Sequence, residues 1–386
     1  MLTSVAGAAG TANEQSETSA EPKVMQLPIR TDGPKSLDPV EGSTTYDNMA
    51  CAQFYETLLT NKYTNPMEME PLLLAEMPTS PDGGTTWKFK LKPDVYFHDN
   101  ECFPGGKGRT INADDVFYSI KRLADDEYKL ENWWLLDGTI LGFNEYKDEQ
   151  NAADEFDYDA PVEGFRKISD LEFEIVLTKP VYRFLYILGM FQTSVVPREA
   201  VEMYGDDFAR NPVGTGPFIL DSWVPKQSLT ADRNPNRLHR AAGKQVPFVD
   251  RVEFTMFVED QPMWLEFSKG KLGYTQVPED YFTDAFDLAS KELKEDWLRK
   301  DIRAHSNLLL DFTFRGFNME DELLGGYTPE KRALRRAISY AIDLEEINKT
   351  FYNGRRIVYD GPIPPGLDGH PENHRSPVAA RGQNLT

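Results

Sequence analysis

Four groups of residues have types and spacings that perform chemistry in other proteins. Residues 211–220, NPVGTGPFIL, set two glycines two apart between two prolines, and glycine-rich segments of this kind often cradle phosphate. A Walker-type loop ends in Gly-Lys-Ser/Thr, so that backbone N–H groups, a lysine and a hydroxyl converge on phosphate and magnesium. Here Gly216 is followed by Pro217 and Phe218. A dinucleotide fingerprint needs a third glycine three residues on, and that position is Ile219. What remains is backbone geometry. Gly214 and Gly216 are free to take φ > 0, Pro212 and Pro217 fix φ, and the segment reads as a shaped turn feeding a strand from Phe218.

The second group is Asp114–Asp115, a carboxylate pair of the kind that does acid–base work. In NADD, however, Asn112 is a good N-cap, and carboxylates in a first helical turn are favoured by the positive end of the helix dipole. Capping accounts for the pair without catalysis. The third group is His370 and His374, four apart in HPENHRSPV, where proline and glycine argue for loop and against the helical face that metal ligation at this spacing needs. The others, His98, His239 and His305, have no partner at ligand spacing. The fourth is Trp133–Trp134 in NWWLLDG, where one ring packs inward and the other is available to line an apolar pocket. No Gly-x-Ser-x-Gly elbow, HExxH or Walker sequence is present, so no catalytic residue, metal site or cofactor is expected.

The elements that position these residues follow from periodicity. Asp47 caps a helix with Ala50, Phe54, Thr57 and Leu58 on one face, ending before Asn61. Trp87, Phe89 and Leu91 alternate as a half-buried strand, as do Phe173, Ile175 and Leu177, and Val252, Phe254 and Met256. Asn112 opens a helix with Val116, Phe117, Ile120 and Leu123 inward. Residues 144–164, NEYKDEQNAADEFDYDAPVEG, are acidic and lack apolar periodicity, so they read as a solvated loop; calcium fits poorly without the EF-hand glycine. Pro197 starts a short helix stopped by Gly205. Thr328–Pro329 starts a longer one with Leu334, Ile338, Ala341 and Ile342 on its buried side. Asp343 and Glu346 form a capping box for the next helix, which ends at Gly354. The fold class is therefore mixed α/β (α+β).

The chain of 386 residues is long enough for two or three domains, and 40% hydrophobic with 12% aromatic residues is ample for globular packing. A formal charge of −21, from 63 acidic against 42 basic residues, excludes a general nucleic-acid or anionic-membrane surface. No window carries the apolar run of a spanning helix; the best is FLYILGMF, residues 184–191. Residues 1–23 change from small and apolar to polar, like the end of a signal peptide followed by a flexible tether, though no basic segment precedes them; a disordered terminus is the alternative. The two cysteines, Cys51 and Cys102, allow one bridge, but a helical Cys51 packs equally as a small hydrophobe.

Taken together, SLDPVEG (36–42), FYETLLT (54–60), DGGTTWKFKLKPDVYFHDN (82–100), NADDVFYSIKRLAD (112–125), NPVGTGPFIL and RRAISYAIDLEEINKTFYNGR (335–355) resemble, in order, the extracellular solute-binding proteins of family 5, the oligopeptide and dipeptide class that serves ABC importers. The resemblance implies a two-lobed periplasmic-binding-protein-like fold with an inserted subdomain. Lobe I would take residues 24–57 and 166–258, the inserted subdomain 58–165, and lobe II 259–386. Lobe II would be incomplete, because relatives run further before returning to finish lobe I. It also implies a non-enzymatic, monomeric receptor at the periplasmic or extracellular face. Such a receptor captures peptides and delivers them to permease and ATPase subunits, touching the membrane only through the permease or a tether. The ligand-binding candidates carried over are Glu41, Gly42 and Ser43, in the stretch that lines the peptide cleft, and Trp133 and Trp134, where relatives send an aromatic into the ligand. The aspartate that pairs with the ligand's amino terminus in peptide-binding relatives has no matching position. His98-Asp99-Asn100 carries asparagine where glycine is usual, followed by a longer loop. The alternatives are a non-peptide ligand such as a sugar oligomer or chelated nickel, a hydrolase using Asp114 or the 144–164 carboxylates, and a fragment that associates with other chains.

Overall fold

The structure is a computed structural model that describes residues 21–371 apart from 129–131, 237–239, 242–243, 307–312, 315 and 368. The signal-peptide reading of residues 1–20, and the readings of His239 and His374, lie outside the described residues. The chain begins with β1 (Val24–Arg30), α1 (Thr45–Phe54), the hairpin β2 (Leu59–Asn61) and β3 (Met69–Pro71), β4 (Thr86–Lys90), α2 (Ala113–Lys121) and α3 (Phe143–Asn151). It continues through β5 (Phe165–Lys167), β6 (Glu172–Val176), α4 (Phe184–Ile187), α5 (Arg198–Tyr204), β7 (Phe218–Val224) and β8 (Ser228–Arg233). After the small hairpin β9 (Arg240–Ala241) and β10 (Lys244–Gln245) come β11 (Arg251–Phe257) and α6 (Asp260–Ser268). These elements form one compact unit ending at Thr275. The second unit, from Gln276, holds α7 (Phe282–Ala285), α8 (Glu295–Leu298), α9 (Pro329–Tyr340) and α10 (Leu344–Phe351).

Two sheets organise the first unit. The larger has the order β1-β11-β8-β7, with β1 parallel to β11 and the other pairs antiparallel. Everything from residue 31 to 250 is thus inserted between two hydrogen-bonded neighbours. In the smaller sheet, β4-β6-β5, the register sets Phe89 opposite Phe173, whose rings stack at 4.9 Å. Phe117 of α2 meets Phe173 edge-on at 5.4 Å and stacks on Phe165 at 4.7 Å, fastening the helix to that sheet. Aromatic pairs of this geometry are worth about 0.5–1.5 kcal/mol each beyond their buried area. The alternations read from the sequence are those observed: Phe89, Leu91, Phe173, Ile175, Leu177, Val252, Phe254 and Met256 are all buried.

Helix ends follow their caps. Asn112 accepts from the N–H groups of Asp114 and Asp115 (2.8 and 3.2 Å), and the Asp115 carboxylate reaches back to the Asn112 N–H (2.8 Å). Asp114 is exposed and ion-paired with Lys167 at 2.6 Å. Arg109 makes a bidentate bridge to Asp115 and another to Glu199, clamping the start of α2 to α5. α5 is flanked by Pro197 at its N-cap and Gly205 at its C-cap, as its sequence implies.

Five expectations need correction. Asp47 is not the cap of α1 but the third helical residue, in a box with Thr44, and the helix stops at Phe54 because Tyr55 turns extended, leaving Leu59 to open β2. Residues 143–151 form a helix rather than a loop, since Phe143 and Tyr146, three apart, are buried and Lys147 pairs with Asp126 at 3.0 Å. Two anchors are enough for two turns, although they leave no periodicity across the acidic stretch. The α9 stripe is not buried: Leu334 is 37% exposed and no residue of that helix is buried among the described residues. Asp343 does cap α10, but Glu346 accepts from Thr350 Oγ1 (3.1 Å) instead of closing the box. Finally, neither Gly214 nor Gly216 takes a positive φ.

Those two glycines answer a steric demand. The Gly216 N–H donates to the Phe54 carbonyl at 2.8 Å, and a Cβ at Gly216 would lie 2.4 Å from the Phe54 carbonyl carbon; one at Gly214 would lie 2.3 Å from the oxygen. The turn is pressed against the end of α1 and held on its other side by His98. The His98 N–H donates to the Gly214 carbonyl (2.8 Å), Nε2 donates to the Gly216 carbonyl (3.1 Å) and Nδ1 accepts from the Gly214 N–H (3.3 Å). The partners thereby set the imidazole tautomer as neutral Nε2–H.

Three outcomes test this account. Beyond α2, buried Arg122 donates to both oxygens of the buried Asp38 carboxylate (2.9 and 2.6 Å), so in urea unfolding Arg122→Met alone should lose about 3–5 kcal/mol by stranding that charge, while Arg122→Met with Asp38→Leu should lose less. Gly216→Ala should cost about 1–3 kcal/mol, since the new methyl meets backbone that cannot rotate away; a neutral result would refute the close approach. Both cysteines are free; burial raises the Cys51 thiol pKa and, with the Glu199 charge adding, pushes Cys102 up to about 11. At pH 8 the native thiolate fraction is then far below that of an ordinary cysteine. A chromogenic disulfide reagent should find both thiols nearly silent until urea is added, and a single rapid native thiol would contradict it.

Candidate functional site

The stretch SLDPVEG is folded around two buried carboxylates. Asp38 accepts a two-pronged hydrogen bond from Arg122 (2.9 and 2.6 Å) and one from the Val40 N–H (3.2 Å), while its own carbonyl accepts from Glu41 and Gly42 N–H groups (3.2 Å each). Asp47 accepts from the N–H groups of Lys35 (2.8 Å), Ser43 (3.2 Å) and Thr44 (2.9 Å) and from Thr44 Oγ1 (2.7 Å). With its backbone donors consumed inward, the loop turns Glu41 and Ser43 outward. Glu41 is oriented by the Ser36 hydroxyl, which donates to it at 2.7 Å. Gly42 is buried against Phe191; a Cβ there would lie 2.6 Å from the ring and 3.1 Å from Asp47 Cβ.

Arg122 is fully buried, with Tyr128 and Phe208 rings at 4.4 and 5.4 Å from its guanidinium carbon. Burial alone would lower its pKa, but the Asp38 charge and hydrogen bonds outweigh that and hold the guanidinium above its ordinary value. The pair spans 84 residues and ties the loop to the end of α2.

Trp133 and Trp134 open a short 3₁₀ turn, residues Trp133–Leu135. Trp133 is half-buried, 5.4 Å from the Phe143 ring with the Lys147 ammonium 5.5 Å above it, whereas Trp134 is 57% exposed. Asn132, just before them, donates through Nδ2 to the carbonyls of both Val40 (3.0 Å) and Gly42 (3.1 Å). All five candidates are therefore brought into one neighbourhood. Trp133 takes the packing role, and Glu41, Ser43 and Trp134 are the exposed side chains. Sequence reading missed Asn132, Arg122 and Gln192, which is buried and reaches the Gly42 carbonyl at 3.5 Å. None carries a periodic or motif signal; each acts through a partner about 80 or more residues away.

The arrangement offers a carboxylate, a hydroxyl and an indole ring, groups capable of hydrogen bonding and stacking. It contains no nucleophile held by a base: His98 is 1% exposed with both ring nitrogens engaged, and His370 Nδ1 is 2.8 Å from the Ile363 carbonyl. No helix among the described residues is long and apolar enough to cross a membrane.

Comparison with known proteins agrees with this reading. The peptide transport periplasmic protein SapA of Salmonella typhimurium is 32% identical over 189 residues, 47% of this chain and 31% of that protein. Heme-binding protein A of Haemophilus influenzae is 25% identical over 337 residues, covering 85% and 54% of the two chains, and the dipeptide-binding protein of Escherichia coli is 24% identical over 336 residues, covering 85% and 55%. The chain spans about a third to just over half the length of these relatives. Among solved structures, the DppA binding protein of Helicobacter pylori in complex with peptide STSA superposes with a TM-score of 0.68 at 21% identity, over 91% of this chain and 62% of that one. The murein tripeptide binding protein MppA of Escherichia coli gives 0.66 at 19%, over 87% and 59%. They establish the mixed α/β fold of the two-lobed periplasmic binding proteins. Residues 68–383 match the family model described as bacterial extracellular solute-binding proteins, family 5, middle region. That match spans more than half of the chain, and the chain belongs to the family 5 extracellular solute-binding proteins.

Proposed function

We propose that this chain is the substrate-binding receptor of an ABC importer, working at the periplasmic or extracellular face and capturing peptides for delivery to permease and ATPase subunits. The observation that carries the reading is the loop bearing Glu41, Gly42 and Ser43, held by Arg122–Asp38 and tied by Asn132 to the turn that carries Trp134. Peptides present N–H and C=O groups at regular intervals, so a receptor that binds main chain accepts many side chains. The names of SapA and the dipeptide-binding protein support the peptide class. In this reading residues 24–57 and 166–258 are lobe I, 58–165 the inserted subdomain, and lobe II begins near 259. Hinge closure between the lobes then excludes water and presents the loaded shape to the permease. Exposed Glu41 suits a ligand's ammonium group, Ser43 a carbonyl, and Trp134 a side chain.

A second reading, a non-peptide solute, is favoured by one observation: the heme-binding relative matches as much of the chain as the dipeptide-binding one. Thermal unfolding separates the two. Ligand at about a hundred times its dissociation constant adds roughly 2.7 kcal/mol to the native state. A pool of two-to-five-residue peptides should raise the melting temperature, and Trp134→Ala should weaken the effective affinity by about two- to tenfold, the worth of one aromatic contact. A rise with haem and none with peptides would select the second reading; silence with both would sink the receptor assignment for this chain.

A further inference from the structure

Away from the loop at Glu41, residues 137–139 and 179–183 form the walls of a solvent-open cavity of about 520 Å³. The walls are fixed by backbone. The Thr178 N–H donates to the Thr139 carbonyl at 2.9 Å, and Thr178 Oγ1 donates to the Gly138 carbonyl at 2.7 Å. Into this space the chain places Lys179, Tyr182 and Arg183 from one wall and Asp137 and Thr139 from the other. Tyr182 is 98% exposed, close to the exposure of a tyrosine in an unfolded chain. Lys179 and Arg183 are exposed and form no ion pair among the described residues, although the chain carries 63 acidic residues. Many of the other lysines and arginines of this unit are paired, Arg109, Arg122, Lys147, Lys167, Arg198 and Arg251 among them.

We propose that this cavity is a docking site for an acidic peptide segment of a partner protein. Two cations left unpaired in a chain of charge −21 are a local inversion of sign, and beyond about 8 Å the remaining charge is screened at physiological salt. Lys179 lies three positions before Tyr182 and Arg183 one after it, and all three line the cavity; tyrosine and arginine together are the composition of interface hot spots. Asp137, which accepts from Asn144 Nδ2 at 2.7 Å, offsets one of the two cations and leaves the lining with a net positive charge. The volume suits two or three side chains rather than a whole folded element, which is why the occupant is a segment. The proposal does not depend on the receptor reading, since none of Glu41, Ser43 and Trp134 lines the cavity.

Calorimetric titration of the whole chain with capped tetraglutamate, and with capped tetraglutamine as the uncharged control, tests it. The acidic peptide should bind at low salt, the control at least about tenfold more weakly, and about 0.5 M NaCl should remove most of the difference. Lys179→Ala with Arg183→Ala should weaken the acidic peptide at least about tenfold, and Tyr182→Ala several-fold, with the melting temperature unchanged because all three side chains are exposed. No binding by the native chain overturns the proposal. So does binding that survives the double substitution, which would put the peptide elsewhere; loss on Trp134→Ala would then point to the loop at Glu41 and support the receptor reading instead.

Discussion

The buried pair between Arg122 and Asp38 is the constraint on which the site depends. A guanidinium removed from water is tolerable only if its charge is matched, and here a carboxylate meets it edge to edge while two aromatic rings cover its faces. Replacing such a pair by well-packed apolar residues is often neutral or stabilising, so its presence speaks for position more than for stability. Asp38 sits in the loop and Arg122 follows α2, so the pair fixes the distance between them. That in turn lets the Asp38 carbonyl collect the N–H groups of Glu41 and Gly42. A looser link, such as lysine to aspartate, would hold charge near charge without setting an angle.

The same logic of distant partners runs through the rest of the unit. The end of α1, the loop at His98 and the turn at Gly214–Gly216 form a three-way junction in which backbone groups pair with one another and with both nitrogens of the His98 ring. Backbone can approach backbone only where side chains are absent, which is the reason for the two glycines. The motif that suggests phosphate binding by its spacing is therefore used for packing, and its carbonyls and N–H groups are spent internally. Next to it the buried Glu56 carboxylate accepts from Thr215 Oγ1 at 3.0 Å, adding a polar tie in a region otherwise walled by Phe54, Tyr55 and Phe208.

How much of this was legible in the sequence depended on range. Strands with strict alternation, such as 86–90 and 172–176, and the helix capped at Asn112 follow from neighbours within a few residues, and they are as read. The helix at 143–151 was missed because its two anchors, Phe143 and Tyr146, span less than one turn, and the remaining residues answer to solvent. Thr44 was overlooked as a cap because Asp47, three residues on, has the same chemistry and completes the box. The resemblance supplied the five candidate residues, but not the reason they sit together. That reason is Asn132 and Arg122, whose partners are 84 to 92 residues away and leave no local pattern.

A receptor that must accept varied solutes faces a conflict between fit and breadth. Fit by side chains commits a site to one shape, whereas fixed main chain offers polar groups common to every peptide. On the proposed reading, buried and exposed side chains divide the work of the site. Buried side chains, Asp38, Asp47, Arg122 and Asn132, make no outward contact and instead hold the loop. Exposed ones, Glu41, Ser43 and Trp134, stand on that loop or beside it. Because the holding groups are satisfied before any ligand arrives, little ordering remains to be done on binding, and the entropy cost that limits flexible loops is reduced. On the proposed reading, substitutions among the exposed residues would change which solute is held, while substitutions among the buried ones would change whether anything is held.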